Sequence, residues 1–193
     1  MTGPDFQPET RIRKKRRFID EPGHAHFATF SCWQRLPLLN RDRSRQWMLE
    51  SIDHVRTKFH VALGAYVIMP EHVHLLILPR NHTISMSRIL AAIKSPVSRQ
   101  AKAFLVETDQ HTWLRKLTVT QGRRTTFRFW QPGGGYDKNL WNERPIRNVI
   151  EYIHANPARR GLVGRSIDWM WSSAGVFAGI STGPLAIDPV FVD

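Results

Sequence analysis

Between residues 60 and 79 the chain reads HVALGAYVIMPEHVHLLILP, two apolar runs parted by a Pro-Glu turn. Apolar runs of this length, bounded by turn signals and rich in Val, Ile and Leu, form strands. A turn this short joins neighbours of one antiparallel sheet, so any fold must be built around that pair. Successive strand residues point to opposite faces, so His72 and His74 project together while Val73 points away. Two imidazoles side by side on a rigid strand make a natural pair of metal ligands. They are equally two polar residues at a strand end, bonded only to backbone and water.

The flanking pattern supplies the rest of the fold. HAHFATFSCW, residues 24–33, reads as a first strand, and residues 41–59 as a helix with Met48, Ile52, Val55 and Phe59 on one stripe. Residues 83–106 give a longer helix. Met86, Leu90, Ile93, Val97, Ala101 and Phe104 line one side of it, while Arg88, Lys94, Arg99 and Lys102 are its candidate DNA contacts. Pro96 inside this pattern is expected to kink or split it. FRFWQPGGGYDKNLW gives a fourth strand, running into a glycine turn and a further short strand. RPIRNVIEYIHAN is a last helix, with Pro145 near its first turn and Pro157 just past its expected end. DWMWSSAGVF opens an aromatic C-terminal extension. The order strand, helix, strand, strand, helix, strand predicts an α+β, ferredoxin-like βαββαβ sandwich. Its antiparallel sheet would carry helices on one face, with the tyrosine-bearing helix around Tyr152 an addition. The expected organisation is a basic, disordered arm over 1–20, a single domain over 21–173 and a tail over 174–193.

Charge narrows the partners. The chain of 193 residues holds 28 Lys and Arg against 16 Asp and Glu, a formal +12. Such a surplus attracts polyanions, nucleic acid above all, and the arginine fork suits phosphate oxygens. Arg11, Arg13, Lys14, Lys15, Arg16 and Arg17 form one run that reads as a phosphate-gripping arm, though a solvated tail has the same composition. A single cysteine, Cys32, leaves no disulfide framework and no cysteine-cluster metal site. Neither a run of roughly 18 apolar residues nor a secretory signal is evident, so a cytoplasmic, nucleoid-associated, bacterial-type protein is expected.

In the last helix Ile146, Val149, Ile150 and Ile153 form the apolar stripe, and Tyr152 and Asn156, four apart, share a face at its margin. On spacing alone this is a half-buried tyrosine and an asparagine terminating a helix before Pro157, as readily as a phenol and an amide aimed at a site. Three further expectations concern polar residues. Glu71 could assist a metal from the turn but reads rather as a solvated turn carboxylate. His24 and His26 mimic a second metal pair but read rather as surface or DNA-facing, and His154 reads as a surface residue off the Tyr152 face.

MPEHVHLLI, FWQP, YIHANPARRGLV and DWMWSS together resemble the REP-associated tyrosine transposases, a branch of the single-tyrosine HUH transposases. The resemblance runs from about His24 to Ser173. It implies a ferredoxin-like core that binds single-stranded or hairpin DNA and cuts it through a tyrosine. Position by position, His72 and His74 match the metal-binding pair, Tyr152 the nucleophile, and Asn156 the polar residue that can complete the metal site. The chemistry is coherent. Phenols ionise near pH 10 and are poor nucleophiles at neutrality, and a divalent cation on two imidazoles and an amide oxygen would polarise the scissile phosphate and favour the phenolate. Mixed nitrogen and oxygen ligation with open positions suits Mg²⁺ or Mn²⁺, with zinc left open. Attack would leave a 5′-phosphotyrosine and a free 3′-OH, the bond energy being kept for strand joining. The segment PGGGYD departs from the family pattern and brings in Tyr136 as a rival nucleophile. The alternative readings are a non-catalytic ferredoxin-like nucleic-acid binder and a metal-dependent hydrolase of small phosphoesters. The oligomeric state, monomer or homodimer, stays open.

Overall fold

The computed structural model describes residues 23–81 and 83–191. The basic run 11–17 therefore lies outside the described residues, with Arg11, Arg13, Lys14, Lys15, Arg16 and Arg17. A four-stranded antiparallel sheet is built from β1 (Ala25–Ser31), β2 (Val61–Ile68), β3 (His72–Pro79) and a late strand, Tyr136–Leu140. Its order is β2-β3-β1 and then the late strand, the ferredoxin-like arrangement. Helix α1 (Asp42–Phe59) and helix α2 (Met86–Glu107) cover one face. Their Met48, Ile52, Ile89, Leu90, Ile93 and Val97 pack on Phe30, Tyr66, Val73, Leu75 and Ile77. The strand period of two sends Ala25, Val67 and Leu76 to the opposite face. There they meet Ile146, Ile150 and Ile153 of a single helix, Glu143–Arg159. Each such isoleucine contributes roughly 1.5–3 kcal/mol by leaving water, which ties the added helix to the sheet.

Between α2 and the late strand lie α3 (His111–Leu117) and an exposed two-stranded ribbon, β4 (Thr118–Gln121) with β5 (Arg124–Phe127). The late strand is thus β6, the Glu143–Arg159 helix is α4, and a short α5 (Ala174–Phe177) follows.

Three local expectations are corrected. The FRFW segment is not the fourth strand: Phe127 ends β5, Phe129 and Trp130 turn into the core, and only an isolated bridge, Cys32 to Trp130, pairs them with the β1 end. The chain then loops through its glycines, and β6 takes the edge. Gly135 is required there, because its φ of +84° is left-handed and a Cβ would run into the Thr29 carbonyl oxygen. Second, Pro96 does not split α2. The carbonyls of Ile93 and Lys94, just before it, accept bonds from Ser51 Oγ (2.6 Å) and Trp130 Nε1 (2.9 Å), so tertiary donors support the turn that the proline weakens. Third, α4 runs through Pro157 to Arg159, which keeps Asn156 helical.

From Trp171 to Val190 several residues of the C-terminal segment pack on the domain. Ile68 N–H donates to the Trp171 carbonyl at 2.9 Å and Ser173 N–H to that of Tyr66 at 3.0 Å, closing the outer edge of β2. Leu185 and Val190 are buried beyond it, Val190 filling the space left by Gly64. No helix among the described residues is long and apolar enough to cross a membrane.

Candidate active site

The register of the sheet assembles the site. Thr29 of β1 lies opposite His74 of β3 on one side and Tyr136 of β6 on the other, and Ser31 lies opposite His72. Because these residues alternate with core positions, their side chains rise on the α4 face.

His72 and His74 are almost fully buried, at 6% and 4% exposure, and their Nε2 atoms stand 3.0 Å apart. Each imidazole is held from behind. His72 Nδ1 is 3.1 Å from Glu71 Oε1, and His74 Nδ1 is 2.7 Å from Thr29 Oγ1. An ionised carboxylate only accepts, so His72 carries its proton on Nδ1 and turns the lone pair of Nε2 outward. His74 Nε2 then donates to His72 Nε2 across the 3.0 Å contact, and the Thr29 hydroxyl donates to His74 Nδ1. A bound cation would displace that proton, the hydroxyl accepting from His74 Nδ1 instead and both Nε2 lone pairs converging on one point. Burial pushes His72 down from its ordinary value against the pull of Glu71. It pushes His74 down to about 3, helped by His72. Neutral imidazoles with their second nitrogens fixed are the form that binds a metal. Among the described residues no third His, Cys, Asp or Glu joins them as a ligand cluster. Glu71 is engaged behind His72, where its Oε1 also forms an ion pair with the Arg160 guanidinium at 2.9 Å.

The third donor comes from α4. Asn156 is buried, and its Nδ2 donates to the Tyr152 carbonyl at 3.3 Å, leaving the amide oxygen for another partner. Tyr152, one turn earlier, is 41% exposed, its ring 5.4 Å from the His74 ring and 5.8 Å from that of Phe27. Tyr136 stands across Phe27, ring centroids 5.9 Å apart, and is 42% exposed. All of these open into one cleft of about 550 Å³. His72, His74, Tyr152 and Asn156 are therefore brought together, with Tyr136 at the same cleft.

Six cleft residues escaped sequence reasoning: Phe27, Thr29 and Ser31 of β1, and three arginines, Arg35, Arg159 and Arg160. Arg159 and Arg160 end α4, where basic residues ordinarily complement the helix dipole, which hid any further role. Arg35 sits in a short 3₁₀ turn at φ +54°, for which no sequence signal exists. Conversely, α2 lies across the sheet from the cleft. Arg88, Arg99 and Lys102 are exposed on that far side, and Lys94 donates to the Gly133 carbonyl at 2.8 Å, at the glycine loop.

Three polar expectations fail because tertiary partners stabilise the burial. Glu71 is 8% exposed, bonded to His72 and ion-paired with Arg160. His26 is 1% exposed, with Nδ1 3.1 Å from Asp137 across the β1–β6 pair. His154 bonds Ser173 Oγ at 2.8 Å and packs on Phe177, burial pushing its imidazole down to about 4.

Residues 23–156 match the family model described as "Transposase IS200 like". A REP-associated tyrosine transposase of Haemophilus influenzae is 27% identical over 141 residues, 69% of this chain and 74% of the relative. Among solved structures, a REP-associated tyrosine transposase bound to a REP hairpin superposes with a TM-score of 0.64. The identity is 21%, over 94% of this chain and 90% of the other. A transposase structure from Deinococcus radiodurans is 20% identical, with a TM-score of 0.44 over 74% of this chain and 96% of the other.

Proposed function

Because the chain belongs to the IS200-like transposase family, we propose that it is a metal-dependent single-stranded DNA endonuclease and strand transferase, acting on hairpin DNA through a 5′-phosphotyrosine. The observation that carries this reading is the convergence of two back-braced imidazole Nε2 atoms, a free amide oxygen and an exposed phenol in one arginine-lined cleft. The solved relative with a bound REP hairpin supports the substrate class.

His72 and His74, with the Asn156 oxygen, would hold a divalent cation, Mg²⁺ or Mn²⁺ by the donor set. When bound it would draw electron density from the scissile phosphate and favour an attacking oxyanion. Arg35, Arg159 and Arg160 bind the backbone phosphates that flank it. Phe27 walls the cleft behind the Tyr152 ring and fixes its direction. The Tyr152 oxygen attacks phosphorus and its proton leaves to the solvent that its exposed hydroxyl meets. The P–O3′ bond breaks, and the departing 3′-oxygen takes up a proton to become the free 3′-OH. A second 3′-OH reverses these steps and joins strands without nucleotide triphosphate. The run from Arg11 to Arg17 adds affinity that is independent of sequence and sensitive to salt.

The test is incubation of the full chain with stem-loop DNA carrying a single-stranded 5′ extension, in Mg²⁺ or Mn²⁺, followed by denaturing electrophoresis. A covalent protein–DNA band that disappears with EDTA is expected. Binding without any adduct in either metal would leave a non-catalytic binder and refute the proposal.

A further inference from the structure

The insertion formed by α3 and the β4–β5 ribbon contributes no side chain to the cleft chemistry, yet it has a defined shape and charge. From residue 110 to residue 128 the chain carries Arg115, Lys116, Arg123, Arg124 and Arg128 and neither Asp nor Glu. Among the described residues the ribbon pairs only with itself, Val119 opposite Thr126, Thr120 opposite Thr125 and Gln121 opposite Arg124. Gly122 at φ +57° opens a two-residue loop, so the ribbon is narrow to its tip. Beyond its base the side chains are polar apart from half-buried Val119, and most are exposed.

A lone hairpin is at best marginally stable, and this one is braced at its foot. Arg128 N–H donates to the Leu117 carbonyl at 2.6 Å, Leu117 is buried, and the chain enters the core directly at Phe129 and Trp130. Trp130 bridges to Cys32, the residue after Ser31, which itself faces His72 across the sheet. The foot of the ribbon is therefore tied to the end of β1 through this bridge, while Phe127 packs on the core beneath α1 and α2.

We infer that this ribbon enters the major groove of the duplex stem of the folded DNA, Arg123 and Arg124 at its tip contacting bases and phosphates while the single-stranded part lies in the cleft. The inference rests on the reading of the cleft as a hairpin-processing site. A DNA major groove, about 12 Å wide, admits a two-stranded ribbon. Four paired residues a strand give a reach of roughly 13 Å, enough to span its depth. Arginine, threonine and glutamine are the donors and acceptors that groove edges and phosphates take. A single strand would instead need aromatic platforms along the ribbon, and the tip has none. The major groove of an RNA duplex is too deep and narrow for such an element.

The experiment uses the full chain carrying Arg123→Ala and Arg124→Ala, two exposed positions, with thermal melting to verify the fold. Affinity is measured for a synthetic stem-loop DNA with a single-stranded 5′ extension, and for a strand of equal length without self-complementarity. The expected result is a loss of about tenfold or more on the stem-loop and less than about twofold on the linear strand. The log–log salt slope on the stem-loop should fall by roughly 0.9 for each phosphate contact removed. Adduct formation at saturating stem-loop DNA should stay at the wild-type rate. Unchanged stem-loop affinity, or an equal loss on both DNAs, overturns the inference and leaves the cleft's function standing. A wild-type chain that binds DNA but forms no adduct removes the proposed chemistry instead.

Discussion

Replacing Glu71 with Gln tests how the imidazole pair is prepared for a metal. In the folded chain Glu71 Oε1 lies 3.1 Å from His72 Nδ1 and 2.9 Å from the Arg160 guanidinium. The amide retains an oxygen that can accept from His72 but removes the charge that pairs with Arg160. A hydrogen bond to an ionised acceptor is worth roughly 1.5–3 kcal/mol against 0.5–1.5 for a neutral one, so the His72 bond weakens by about 1–1.5 kcal/mol. Arg160 is 51% exposed, and solvent screening leaves its pairing worth only about 0.5 kcal/mol. Stability should therefore fall little, by a few degrees in melting temperature. The larger effect is on ligand basicity, since an outer carboxylate that orients a histidine typically carries 10- to 100-fold in metal affinity. Adduct formation titrated with Mn²⁺ should show a midpoint about tenfold higher and an unchanged plateau. A midpoint that does not move would refute the bracing argument, and a lost plateau with no rescue would mean that Glu71 acts in the chemistry itself.

Tyr152→Phe keeps the ring contacts with Phe27 and His74 and should abolish the adduct at unchanged DNA affinity, while Tyr136→Phe should still form it. Nucleotide mass on a Tyr136 peptide of the wild type would reverse that assignment. Asn156→Ala should raise the metal requirement and slow cleavage without ending it, because the two imidazoles remain; cleavage at the wild-type metal midpoint would exclude the amide as a ligand. Gly135→Ala forces a Cβ against the Thr29 carbonyl at a left-handed φ and should cost roughly 2 kcal/mol or more, read as a melting temperature about 5 °C lower. His154 gives a pH test: the unfolded imidazole binds its proton near pH 6.5, the folded one only at about 4, so the unfolded state holds more protons in that window. Stability is then full above pH 6.5 and declines as pH falls toward 4, by roughly 3 kcal/mol at most. His154→Gln, which can still bond Ser173, should melt with a shallower acid slope, and an identical slope would clear His154 of the effect.

Local pattern determined much of this protein. The period of two and a Pro-Glu turn placed His72 and His74 on one face of a strand, and the period near 3.6 placed Tyr152 and Asn156 on one face of a helix. The succession of elements carried the ferredoxin-like order, because short-range propensity and apolar spacing reside in neighbouring residues. What only the tertiary structure decided depends on residues far apart in the chain. Pro96 and Pro157 stay within helices because the surrounding packing outweighs the lost backbone bonds, against a local rule that ends helices at proline. The fourth strand is β6 rather than FRFW because Phe129 and Trp130 gain more from the core than from the sheet edge. Glu71, Thr29 and Arg160 became partners of the histidine pair only when sheet register and the end of α4 converged, and Arg35 and Arg159 reached the cleft by the same convergence. Charge and spacing identify which residues are able to act, but distance between atoms of remote segments decides which of them meet, and that distance is a property of the packed core.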